Sequence, residues 1–123
     1  MDLIQLGNEL KGYIESGNPH GAFDNLYHPD VVSIEAGGSA ESTTTGIASC
    51  LQKAEWFGNE FEVHGGKVTG PFPDGVDQVA ILMSYDVTQK SSGHRFPLEE
   101  IGIYTFADGK IVKEKFYNTM PSG

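Results

Sequence analysis

The sequence predicts an α+β domain, with helices gathered in the first half and an antiparallel meander in the second. Three observations carry this. Leu3, Leu6, Leu10, Tyr13 and Ile14 recur at helical spacing. Val79, Ile81, Met83, Tyr85 and Val87 fall at every second position, the period of a strand. Asp108-Gly109 separates two β-rich runs, and Asp-Gly favours a tight hairpin with positive φ.

The elements follow in order. A first helix is expected from about Asp2 to Ser16, with Gly17 after its end. Asn18-Pro19 restarts a helix as N-cap and first position, and this one ends near Tyr27. His28-Pro29-Asp30 reads as a turn, and the β-branched run after it as a strand, Val31 to Glu35. A Gly/Ser/Thr-rich loop from Gly37 to Thr45 leads to a third helix from about Ile47 to Phe57. Ile47, Cys50, Leu51, Ala54 and Phe57 form its buried stripe, and Gly58 is expected to stop it. Strands follow over Phe61 to Thr69, Val79 to Lys90, Arg95 to Phe106 and Ile111 to Tyr117. The turn signals between them are Pro71 to Gly75, Ser91-Ser92-Gly93 and Ala107 to Lys110. A bent sheet with helices over its concave side leaves a cavity.

Composition narrows the function. A chain of 123 residues is expected to form one domain, residues 1 to 123. The net charge of −9 and only eight Lys and Arg argue against nucleic acid, which needs clustered cations. No apolar run approaches the roughly 20 residues that span a bilayer. The start, MDLIQLGNEL, has no basic n-region, so a cytoplasmic protein is expected. Cys50 stands alone, which rules out an internal disulfide. No His/Cys spacing supports a metal, although His64 with two glutamates is a conceivable set. No Gly-rich phosphate loop follows a strand. No cofactor is expected.

The segments GNPHGAFDNLYHPDVVSIE, TGIASCLQKAEWF, EVHGGKVTGPF and EEIGIYTFADGKIVKEKFY occur in an order that covers almost the whole chain. Together they resemble the SnoaL-like and ketosteroid isomerase-like branch of the nuclear transport factor 2-like superfamily. The resemblance implies a cystatin-like cone: a curved antiparallel sheet of about four to six strands wrapped around three N-terminal helices, with a pocket inside. It also implies a carboxylate base where this chain has Glu35. The isomerases' oxyanion-hole tyrosine would fall near Leu10, with Tyr13 one turn later, and their oxyanion-hole acid at Gly102. The superfamily holds isomerases, cyclases, dehydratases, hydrolases and binding proteins, so fold does not fix function.

If Gly102 faces the pocket, strand parity sends Leu98, Glu100, Tyr104 and Phe106 inward as well. Ile101 and Ile103 then face outward, which suggests a sheet-to-sheet homodimer. On the last strand Val112, Glu114 and Phe116 would point inward. The resemblance puts Glu62, His64 and Val68 inside on the earlier strand, and Met83 and Tyr85 inside on the next. The expected interior is Glu35, His64 and Glu100 as acid/base groups. Tyr13, Trp56, Met83, Tyr85, Leu98, Tyr104, Glu114 and Phe116 would surround a small apolar molecule. A carboxylate among apolar groups has a raised pKa, which suits proton abstraction next to a carbonyl. Bland readings stand beside these. Glu35 reads equally as a solvated strand end, His64 as a structural histidine, and Glu114 as a partner for Lys53 or Arg95. The tyrosines and Trp56 read as ordinary core. Two outcomes are therefore open: an isomerase, cyclase or lyase, or a ligand-binding or dimerisation module without catalysis.

Overall fold

The computed structural model describes residues 1–37 and 42–119. Part of the expected glycine-rich loop, residues 38–41, lies outside the described residues. Helix α1, Leu3–Glu15, starts where the Asp2 carboxylate accepts the Gln5 N–H at 3.0 Å. Helix α2, Pro19–Leu26, starts where the Asn18 side-chain oxygen accepts the Gly21 N–H at 3.0 Å, with Pro19 at the first position. Gly17 between them has φ +64°, a conformation suited to glycine.

Strand β1, Tyr27–Ile34, begins directly after α2, four residues earlier than the β-branched run suggests. His28-Pro29-Asp30 is not a turn between elements. It is an irregularity inside the strand, where pairing with the last strand shifts between Tyr27 and Val32. The glycine-rich connection holds a short strand β2, Thr43–Thr45. Helix α3, Ile47–Glu60, runs past Gly58. Gly58 lies exposed with open space around it, so it costs only its intrinsic propensity, about 1 kcal/mol.

The meander is β3 (Phe61–Pro73), β4 (Gln78–Gln89), β5 (His94–Ala107) and β6 (Lys110–Asn118). Asp108 and Gly109 have φ of 50° and 79°, the positive values a tight hairpin asks for. The sheet order is β2-β1-β6-β5-β4-β3, with β1 and β6 parallel and every other pair antiparallel. The end strands β2 and β3 do not pair, so the sheet curls without closing. The architecture is an α+β cone.

The core lies between the helices and the concave face. Leu3, Leu10, Phe23 and Leu26 meet Val79, Ile81, Tyr104, Phe106 and Ile111 there. Gly7 allows the close approach of α1, since a Cβ on it would stand 2.5 Å from Pro71 Cβ. A second cluster of Phe61, Val87 and Leu98, flanked by Phe57 and Phe96, fills the other end of the sheet.

Candidate functional site

A cavity of about 1680 Å³ opens between the helices and the concave face. Its polar floor begins on β6. Glu114 is buried, and Tyr27 Oη donates to its Oε2 at 2.6 Å. Ser33, beside Glu114 in the β1–β6 register, is hydrogen-bonded to the same carboxyl. Lys53 Nζ, reaching in from α3, donates to Ser33 Oγ at 2.5 Å and pairs with Glu35 Oε1 at 2.8 Å. The chain Tyr27–Glu114–Ser33–Lys53–Glu35 therefore runs from deep core to a half-open position. Every member has a partner, as burial of polar groups requires.

Glu100, on β5, shares this cavity. Burial pushes its carboxyl up to about 7, the Glu35 charge adds to that, and a hydrogen bond from Asn118 pulls the other way. Burial likewise raises the Glu114 carboxyl, against the downward pull of its bonds to Tyr27 and Ser33 and of Lys53. Tyr85 is pushed up to about 12 by burial and then by Glu100. Tyr27 and Tyr104 titrate well above the usual phenol range, chiefly through burial, so both are neutral donors.

Gly102 has no side chain, and its space is used by another residue. A Cβ at Gly102 would stand 2.7 Å from Tyr104 Oη, so the Tyr104 ring lies back along its own strand. Tyr104 is only 2% exposed, and its ring meets Phe116 edge-on at 5.9 Å.

The cavity brings together Tyr13, Glu35, Trp56, Met83, Tyr85, Glu100, Tyr104, Glu114 and Phe116 of the expected set. Tyr13 Oη is engaged at the helix pair, where it accepts from Asn25 Nδ2 at 3.1 Å. His64 does not join them. It is the residue where β3 slips against β4, between Val63 and Gly65, and it emerges exposed on the outer face. There Nε2 lies 2.7 Å from Thr88 Oγ1, beside the bidentate pair of Arg95 and Asp86. Glu62 is exposed too. Leu98 faces inward but packs in the second apolar cluster, outside the cavity lining. Val112 is displaced by the slip between Thr105 and Phe106, and Ile111 takes the buried place instead. Glu114 meets Lys53 only through Ser33, and Arg95 belongs to Asp86.

Ser33 and Lys53 are the functional candidates that sequence reasoning undervalued. Their signals exist. Ser33 shares strand parity with Glu35. Lys53 lies three residues after Cys50 and one before Ala54, within the buried stripe of α3. Among the described residues, no three His, Cys, Asp or Glu side chains are grouped to hold a metal, and no helix is long and apolar enough to cross a membrane.

This geometry has known relatives. No curated protein matches the chain. A candidate SnoaL-like polyketide cyclase from Mesorhizobium loti, also described as a carbohydrate phosphatase, superposes with a TM-score of 0.86 at 34% identity, covering 95% of this chain and 99% of that one. A candidate SnoaL-like polyketide cyclase from Jannaschia sp. CCS1 gives 0.79 at 15% identity, covering 98% and 90%. A protein of unknown function with a cystatin-like fold from Xanthomonas campestris gives 0.76 at 20%, covering 97% and 92%. The family model of the SnoaL-like domain matches residues 14–118. With that match and the cone in place, this chain belongs to the SnoaL-like family.

Proposed function

We propose that the chain binds a small apolar molecule in its cavity, in the cytoplasm, and moves a proton on it without a cofactor. The chemistry is of isomerase, cyclase or lyase type. One observation carries the reading: Glu100 presents to an apolar cavity a carboxyl that titrates at about 7. A base poised near the working pH is what proton abstraction from carbon needs. Glu35, at the position the family resemblance marks for the base, is paired with Lys53. We therefore give Glu100 the base role and Glu35 the role of setting Glu100's charge state.

The test uses 2-acetylnaphthalene, an apolar enolisable ketone, in D₂O. Wild-type protein is expected to speed deuterium exchange of the acetyl protons, read by NMR, with a rate that rises through about pH 7. Glu100→Gln is expected to lose about a hundredfold or more. Exchange by wild type no faster than in buffer, or retained in Glu100→Gln, would refute the assignment.

A second reading is a binding module that returns its ligand unchanged. The pairing of Glu35 with Lys53 favours it, since the carboxylate at the expected base position is held in an ion pair. Ligand recovered intact after prolonged incubation supports this reading, and any multi-turnover conversion excludes it.

The partner we propose is a second copy of the chain, docked sheet to sheet. Leu82, Ile101 and Tyr117 pair in one row across β4, β5 and β6, and are 40%, 40% and 50% exposed on the outer face. Ile103 extends the patch. An apolar row of this kind on a sheet face is a common docking feature.

A further inference from the structure

Among the described residues, every polar side-chain atom sealed away from cavity and solvent has a hydrogen-bond partner. The Tyr104 hydroxyl has no such bond to any described residue. Yet Tyr104 is 2% exposed and lines the cavity, so its oxygen opens into that space. A phenol held this deep without a partner is costly unless something in the cavity completes it. Its direction is fixed. The ring lies back over Gly102, with Oη 2.7 Å from where a Cβ there would be, and Glu100 is two residues further along the same face of β5. Glu100 makes its side-chain bond with Asn118 instead, and phenol and carboxyl both line the cavity.

We propose that Tyr104 Oη is the hydrogen-bond donor for the ligand's oxygen, beside the Glu100 carboxyl, and that the pocket therefore takes apolar molecules bearing a carbonyl with an enolisable neighbour. This rests on the proton-transfer reading and deepens it. The ionised Glu100 carboxylate takes the proton from the carbon beside the carbonyl. The electron pair of that C–H bond becomes the C=C of an enolate, and the carbonyl π pair moves to oxygen. Tyr104 O–H donates to that oxygen more strongly as its charge grows, which makes it a donor for the transition state. Glu100, now protonated, returns the proton to the same carbon or to another carbon of the conjugated system. Atoms and charge balance with no further reactant.

The experiment is Tyr104→Phe, which removes one oxygen and keeps the ring. Two probes are compared by calorimetry: 2-acetylnaphthalene and 2-ethylnaphthalene, which lacks the oxygen. The variant is expected to bind the ketone about three- to tenfold more weakly and the hydrocarbon equally well. Its deuterium exchange rate at saturation is expected to fall about a hundredfold. Gly102→Ala places a Cβ against the phenol and is expected to lower exchange in the same direction. If Tyr104→Phe matches wild type in ketone affinity and exchange, the donor assignment is wrong while the proton-transfer reading stands. If the double variant Lys53→Met/Glu35→Gln loses ketone affinity and Tyr104→Phe does not, the donor is Lys53 and the proposal fails. If wild type binds the ketone without exchange, the proton-transfer reading fails. The affinity difference between Tyr104→Phe and wild type then still decides the donor. If wild type binds neither probe, both readings fail.

Discussion

Glu100 ties folding to pH. Its folded carboxyl holds a proton up to about 7, while in the unfolded chain the group ionises near 4.3. The folded state therefore binds the extra proton between those values, and stability must fall as pH rises through that window. The contribution is whole below the window and lost above it, a change on the order of 3 kcal/mol. Glu114 acts in the same direction, since burial raises it too. Glu100→Gln should flatten the decline in melting temperature between pH 5 and 8, measured by calorimetry against wild type; an unchanged slope would show that Glu100 titrates normally. Glu35→Gln makes a complementary case. It removes a charge that raises Glu100 and frees Lys53, which lowers it. The inflection of the exchange rate should move to lower pH.

At the scale of elements, Gly7 decides how closely α1 sits on the sheet. Gly7→Ala would force its methyl to within 2.5 Å of Pro71 and 3.1 Å of Val79, both on packed strands. A destabilisation of about 1–3 kcal/mol is expected by urea unfolding, the usual cost of overpacking; no change would mean that helix and strand separate easily. The elements also show where the sequence was legible. On β5, alternation from Leu98 to Phe106 correctly ordered the faces, because its pairing with β4 is regular throughout. On β3 the same rule failed. Two slips, at His64 and between Thr69 and Phe72, reset which side chains face inward, and His64 crossed to the outer face. On β6 one slip exchanged Val112 for Ile111, then left Glu114 and Phe116 where parity had placed them. A slip has no hydrophobic signature of its own, so it is invisible to counting by twos. The extension of α3 past Gly58 was missed because exposed glycine lowers propensity without blocking a helix.

For the whole molecule, the cone was readable from the order of its segments, while the site was only half readable. The acids could be placed by family position and parity. The phenol turned back over Gly102, and the reach of Lys53 from α3 to Ser33 and Glu35, depend on packing across elements. The proposed sheet-to-sheet dimer belongs to this scale as well. Ile103→Asp is expected to give monomers by sedimentation at concentrations where wild type is dimeric, and a variant that still dimerises would place the interface elsewhere. The parallel pairing of β1 with β6 has a consequence for how the protein comes into being. Tyr27 and Glu114 are 87 positions apart in the chain, yet they meet in one hydrogen bond. A ribosome releases β1 long before the strand it must lie against exists. Through most of synthesis, β1 presents one long unpaired edge, and the acid floor of the cavity has no carboxylate from β6. Such distant pairing closes late and slowly. The nascent chain is therefore most exposed to aggregation just before it acquires its function.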